Sequence, residues 1–224
     1  RPVAHRLNTT PEAKETFARA EFDAMAKAGL YKIPFPADVG GLGLEFPTLA
    51  TATVCEELGY YSPSLTSSMY DGQAILVGRA IQCKATKVDG GYRINGKKRW
   101  ITNSPVGDLI VVLCRTGDSL SMLLADMHDP GVKVSAPDLK MGNHVQLTAD
   151  IDFTDVFVPA DHVIQKEGSG LRAAIGSLVL GRMGIGAIGV AMAQASFDFA
   201  SHYMTQRKVF GQELARMQHW QYRF

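Results

Sequence analysis

The hydrophobic period changes twice along this chain, and that order limits the architecture more than any single motif does. Up to about Ile81 apolar residues recur at helical spacing. From about Cys83 to Ile164 short apolar runs follow the period of strands, and from about Gly168 the helical pattern returns. The chain therefore divides into a helical part at 1–82, a β part at 83–165 and the beginning of a second helical part at 166–224.

Within the first part, Thr10-Pro11-Glu12 is a helix start: a capping hydroxyl, a proline tolerated at the first position, and an acid at the positive end of the dipole. Ala18, Phe22, Met25 and Ala26 form an apolar stripe, which Gly29 ends. Residues 33–44 are rich in proline and glycine and read as a turn between helices. A second helix is expected from Pro47 to Gly59 and a third within Leu65 to Ile81.

In the β part, Asn95-Gly96 between Tyr92-Arg93-Ile94 and Lys97 to Thr102 predicts a hairpin, because both residues accept the positive φ of a type I′ turn. Lys97, Lys98 and Arg99 then read as a solvated hairpin edge. Leu109 to Cys114 is a continuous apolar run suited to a buried strand, with Leu120 to Ala125 as its partner. Val145, Leu147, Ala149, Ile151 and Phe153 alternate with Gln146, Thr148, Asp150 and Asp152, which predicts a half-buried strand. Short strands separated by turns suggest a small sandwich or barrel.

The third part contains no proline from Leu171 to Gln206, so one long helix is expected. Glycines 176, 181, 184, 186 and 189 permit close backbone approach, which predicts a tightly packed bundle helix. Its most apolar stretch, Ile175 to Met192, is barely long enough to span a bilayer and contains Arg182, so a buried helix is expected rather than a membrane span.

Charge and composition narrow the function. Twenty-three basic and 22 acidic residues leave a formal net charge of +1, which gives no electrostatic footprint for nucleic acid. Cys55, Cys83 and Cys114 are odd in number and form no C-x-x-C pair, so a reducing compartment fits, with no secretion signal seen. The six histidines make no H-x-x-x-H or H-E-x-x-H pair, and no G-x-S-x-G elbow occurs; no metal site is expected.

Two strings carry possible chemistry. Gly184-Ile185-Gly186-Ala187-Ile188-Gly189 fits G-x-G-x-x-G, but no convincing strand precedes it and no acid follows about twenty residues on. Small residues for helix packing explain it better than a dinucleotide loop. Trp100-Ile101-Thr102-Asn103-Ser104 is more informative: on a strand, Trp100 and Thr102 share one face and Ile101 takes the other. A flat aromatic beside a hydroxyl could hold a planar heterocycle, although a structural tryptophan would read the same way.

Five strings in order resemble the acyl-CoA dehydrogenase family and cover nearly the whole chain. They are Ile33 to Gly43, Gly91 to Asn103, Phe153 to Pro159, Leu180 to Gly186, and Arg207 to Gly211 with Gln218 beyond. The resemblance implies the family's fold: an N-terminal α-helical domain, a middle β-sandwich or barrel domain, and the start of a C-terminal helical bundle. It implies FAD as cofactor, with Trp100 packed on the isoalloxazine and Ile101 and Thr102 near its N5 edge. Arg207, Phe210 and Gln218 would reach the diphosphate and adenosine end from a neighbouring subunit. Arg182 resembles the family's buried arginine near the acyl-CoA site, although an ion pair would also explain a buried charge.

The reaction implied is α,β-dehydrogenation of an acyl-CoA thioester in fatty acid or lipid metabolism. Implied partners are an electron-transfer flavoprotein or similar acceptor and copies of the same chain, as a dimer of dimers (a homotetramer), in the bacterial cytoplasm or the mitochondrial matrix. An acyl-CoA oxidase or flavin monooxygenase, or a non-catalytic subunit sharing flavin, would use the same scaffold.

Three departures from the family pattern bear on this. The usual catalytic base corresponds to a position beyond Phe224, and the alternative place for it is Gly181. No T-E-P-x-x-G-S-D-like flavin loop precedes Gly91; Gln82 runs directly into Cys83, which suggests a stretch missing at that junction. The second helical part stops after little more than one helix, so a further stretch is expected beyond Phe224.

Overall fold

The structure is a computed structural model that describes residues 17–73 and 83–224. The expected helix start at Thr10 and the Gln82–Cys83 junction lie outside the described residues.

Helix α1 spans Arg19–Lys27, and Gly29 ends it in the left-handed region at φ 77°. Ala18, Phe22 and Met25 pack inward as expected, whereas Ala26 is exposed because it lies at the edge of that stripe. The proline–glycine segment forms two 3₁₀ turns, Leu30–Lys32 and Ala37–Val39. Helix α2, Pro47–Tyr61, begins on its proline as the sequence predicts. Helix α3, Pro63–Gln73, follows after a single residue.

The β part is one six-stranded mixed sheet ordered β4-β3-β1-β2-β6-β5. Its strands are β1 Cys83–Val88, β2 Gly91–Thr102, β3 Leu109–Thr116, β4 Ser119–Asp126, β5 Val132–Val134 and β6 Thr148–Pro159. The sheet curves until β4 approaches β6, which is not its neighbour in the order. It thereby encloses one core of Ile94, Ile101, Val112, Leu123, Ile151 and Val156, among others. That is the barrel-like outcome expected. The two apolar runs are antiparallel partners, pairing from Leu109↔Asp126 to Thr116↔Ser119.

The expected hairpin at Asn95-Gly96 is incorrect. The turn is Asp89-Gly90, with Val88 paired to Gly91 and Gly90 at φ 74°. Both dipeptides satisfy the turn chemistry, and pairing of β1 with Gly91–Gly96 decides between them. Asn95 instead serves a bulge on β6: its Oδ1 accepts the N–H of Asp155, which stands at φ 56°.

The alternation in β6 holds at Ala149, Ile151 and Phe153, all buried. Upstream it fails at Gln146, which is buried, because residues before Thr148 form a turn rather than a strand.

Helix α4, Gly170–Gln206, runs 37 residues without interruption, about 55 Å at the standard rise. Its N-terminus docks on the sheet, where a Cβ on Gly170 would lie 2.7 Å from the Ser121 backbone. Leu113, Met122 and Ala174 form the core there. Further along, α4 packs on α2 through Ile188 and Ala191, and the Tyr60 hydroxyl donates to Asp198 at 2.5 Å.

Among the described residues α4's own glycines do not carry the close packing expected of them: a Cβ on Gly176, Gly181, Gly186 or Gly189 would meet nothing within 4 Å there. The close approach is made by Gly59 of α2, where a Cβ would be 3.1 Å from Ala191 Cβ. Likewise Ile175 to Met192 is not buried here. Ile175, Val179, Ile185 and Val190 are each more than half exposed, because only one side of α4 meets α2, α3 and the sheet. By length and composition α4 is apolar enough to cross a membrane, with a mean hydropathy of 1.6 in its most apolar window.

Candidate functional site

Two left-handed residues, Trp100 and Asn103, lie at the end of β2. Lys98 pairs with Ile151 and Ile101 with Ala149, so Arg99 and Trp100 together face the single residue Asp150. This bulge puts Trp100 in the left-handed region at φ 56°, which costs about 1 kcal/mol for a residue with a Cβ. Trp100 is 62% exposed. Ile101 is buried in the β core, whereas Thr102 is half-buried. The two-sided arrangement expected from the sequence is therefore present, but a bulge produces it rather than simple alternation.

Asp150 grips the bulge from across the strand. Its Oδ1 accepts the Trp100 N–H and its Oδ2 accepts Arg99 Nε, both at 3.0 Å. Arg99 also lies over the Trp100 ring, 5.3 Å from its centroid.

Three residues on, Asn103 ties the bulged strand to α3. Asn103 is left-handed at φ 59°; its Nδ2 donates to the Ser68 carbonyl, and its Oδ1 accepts the Ser68 hydroxyl, each at 3.0 Å. Its backbone N–H donates to the Leu147 carbonyl at 2.7 Å. Ser104 closes the corner by donating to the Ile101 carbonyl at 2.8 Å. The helical and β parts are thus joined beside Trp100.

The basic cluster is not uniformly solvated, contrary to expectation. Lys97 pairs with Asp152 at 2.8 Å and Arg99 with Asp150, but Lys98 is buried. Its ammonium donates to the Leu113 carbonyl at 2.8 Å, and burial pushes its pKa down. Strand alternation puts Lys98 on the inner face with Ile94, against the buried thiols Cys83 and Cys114. A hydrogen bond from Cys114 and the nearby Lys98 charge hold the Cys83 pKa below the usual thiol range.

The second group of residues lies beyond α4. Arg207 caps the helix through its N–H to the Tyr203 carbonyl, and its side chain is exposed. Strands β7, Lys208–Val209, and β8, Gln212–Glu213, flank Phe210-Gly211. Both turn residues have positive φ, 53° and 80°, as a type I′ hairpin requires. Phe210 is left 93% exposed at the tip. Gln218 opens the last short helix, α5, Gln218–Gln221, and is exposed.

Arg182, expected to be buried, is exposed on α4 and has no ion pair among the described residues. It precedes Arg207 by 25 positions, about 37 Å along the helix. The two arginines of one chain cannot serve the same ligand group. Glycines 184–189 lie inside α4, not at its N-terminus, so they form no phosphate cradle. Among the described residues, no group of three or more His, Cys, Asp or Glu is placed to hold a metal ion.

The Asp150 grip, the Asn103–Ser68 pair and the burial of Lys98 were not foreseen from sequence. Asp150 belongs to the outward set of an alternating strand, where nothing distinguishes it from Asp152.

Three parts make up the scaffold: a helical part, a curved mixed sheet, and a long helix carrying an exposed hairpin. Three domain descriptions match it in the same order. They are the acyl-CoA dehydrogenase N-terminal domain over residues 1–87, its middle domain over 77–156 and its C-terminal domain over 168–224. The chain is 31% identical to the benzylmalonyl-CoA dehydrogenase of Aromatoleum aromaticum, covering 96% of this chain and 67% of the relative. That alignment runs over 257 positions, more than the chain's 224 residues, so the relative has segments without a counterpart here.

Butyryl-CoA dehydrogenase from Megasphaera elsdenii has the same fold, with a TM-score of 0.87 at 23% identity over 99% of this chain and 72% of its own. A chain in a structure of the electron transferring flavoprotein of Acidaminococcus fermentans aligns with a TM-score of 0.86 at 25% identity, covering 93% of this chain and 66% of that one. The class is an oxidoreductase scaffold, and the chain belongs to the acyl-CoA dehydrogenase family. It spans about two-thirds of the length of the curated relatives it matches.

Proposed function

We propose that this chain is part of an FAD-dependent enzyme that removes two hydrogens across the α,β bond of an acyl-CoA thioester. The observation that carries the reading is Trp100, a strained and exposed indole on the strand segment Trp100-Ile101-Thr102, within a family whose named members act on acyl-CoA.

The residues present suit a flavin. Trp100 offers a flat apolar face, and the half-buried Thr102 hydroxyl has no side-chain partner among the described residues. Arg207 presents a guanidinium suited to a diphosphate, with Phe210 and Gln218 beside it in sequence. FAD would supply the hydride acceptor. The chain's own residues would hold the ring, exclude water from one face through Trp100, and bind the diphosphate of a neighbouring subunit's cofactor. The helical distance between Arg182 and Arg207 supports that division, since one chain would serve two sites.

Gly181 occupies the place where some family members have a base, so in this reading the α-proton acceptor comes from another position. The exposed apolar side of α4 supports assembly as a homo-oligomer, and the charge of Arg182 within the apolar stretch weighs against a membrane span. An electron-transfer flavoprotein or similar acceptor would take the electrons from the reduced flavin in this reading. Three free, buried cysteines suit a reducing compartment, the bacterial cytoplasm or the mitochondrial matrix.

The test is anaerobic addition of an acyl-CoA panel to the FAD-loaded full-length protein. Loss of the visible flavin absorbance with a panel member is the expected result. Bound flavin that stays oxidised with every short, long and branched acyl-CoA would contradict the dehydrogenase reading and favour a flavin-sharing subunit.

A further inference from the structure

We propose that Asp150 is a positioning residue for this site: by holding the β2 bulge it sets the pose of the Trp100 ring. A bulge inserts an extra residue that the ladder alone does not fix. Here the extra residue is a tryptophan in a conformation that side chains disfavour, so something outside the ladder must hold it. Asp150 is the residue opposite the bulge, and its two carboxylate oxygens divide between the Trp100 N–H and Arg99 Nε.

Asp150 is itself held from the other side. Its N–H donates to Ser135 Oγ at 3.0 Å, and its carbonyl accepts the Ser135 N–H at 2.9 Å. A continuous relay thus runs from Ser135 through Asp150 to Trp100. Arg99, held by the same carboxylate, covers the indole at 5.3 Å and limits its rotation. By contrast, among the described residues the side chain of Asp152 on the same outer face makes only the exposed pair with Lys97, which fixes no backbone group.

The link between Asp150 and Trp100 stands on geometry alone; its consequence for the cofactor rests on the flavin reading above. The test uses the full-length chain in which Trp220, and any tryptophan outside these 224 residues, is replaced by phenylalanine, so that Trp100 alone emits. Emission anisotropy and acrylamide quenching of Trp100 are measured without FAD, then the FAD dissociation constant by titration.

Asp150→Ala is expected to lower the anisotropy and raise the dissociation constant about tenfold, the usual scale for a lost charge-assisted hydrogen bond. Asp150→Asn, which keeps one acceptor oxygen, is expected to fall between Ala and the parent. Unchanged anisotropy and quenching in a folded Asp150→Ala overturn the proposal. Should the Ala variant not fold, the same result in Asp150→Asn overturns it. If Trp100 loosens but neither Asp150→Ala nor Trp100→Phe alters FAD affinity, the positioning role stands and the flavin reading falls. If Trp100→Phe weakens FAD and Asp150→Ala does not, the positioning role is wrong.

Discussion

Replacing Asn103 separates two stabilising contributions at the junction between α3 and the sheet. Asn103→Ala removes both side-chain bonds to Ser68 and leaves the buried Ser68 hydroxyl without its acceptor. That loss costs about 2 kcal/mol. Alanine must also adopt φ near 59°, at a further cost of about 1 kcal/mol. The sum of about 3 kcal/mol corresponds to a fall in Tm of roughly 6–12 °C for a chain of this size.

Asn103→Gly loses the same bonds but relaxes the backbone freely, so it is expected to melt about 2–4 °C above the alanine variant. Thermal unfolding by circular dichroism, at fixed protein concentration and without FAD, measures both. Equal melting of the Ala and Gly variants would remove the left-handed strain from the account. An Ala variant melting with the parent would refute the clamp altogether.

Two further outcomes follow from the packing of α4. Gly170→Ala would put a methyl group 2.7 Å from the Ser121 backbone, and overpacking of this kind costs about 1–3 kcal/mol, so Tm falls; a rise toward the gain expected from helix propensity would show the contact is loose. The Tyr60 hydroxyl, with help from Gln194, holds the Asp198 carboxyl below the usual carboxylate range. Its folded pKa lies below the unfolded one, so its contribution is full above about pH 4 and lost as pH falls through the folded value. Denaturant midpoints should therefore separate parent from Tyr60→Phe at neutral pH and converge in acid, whereas a constant gap would contradict that linkage.

How much of this was legible depended on how local the cause is. Residues 171–206 read correctly as a helix because proline absence acts residue by residue. The β3–β4 pair and the alternating part of β6 read correctly because burial of one face imposes the period locally. Partner choice did not read correctly. Asn95-Gly96 and Asp89-Gly90 have equal turn chemistry, and only the presence of β1 beside Gly91–Gly96 selects the second.

Lys98 looked like one of three solvated cations, yet strand alternation carries its stem into the core, where the Leu113 carbonyl receives it. Trp100, Ile101 and Thr102 stood out as a string and Phe210 through the family resemblance, but the hairpin that bears Phe210 was not foreseen. The Asp150 and Ser68 contacts lie 50 and 35 positions from their partners, and no local pattern signals such a pair. Exposure of Arg182 and of α4's apolar side was missed because sequence reports which residues prefer burial, not which neighbours are present to bury them.

That Trp100 faces a flavin is tested most directly by FAD titration of the full-length protein, with every tryptophan but Trp100 replaced by phenylalanine, followed by Trp100 emission. The account predicts quenching that saturates at one FAD per chain and disappears in parallel with flavin release. Tight FAD binding with Trp100 emission unchanged, or no FAD binding at all, would contradict it.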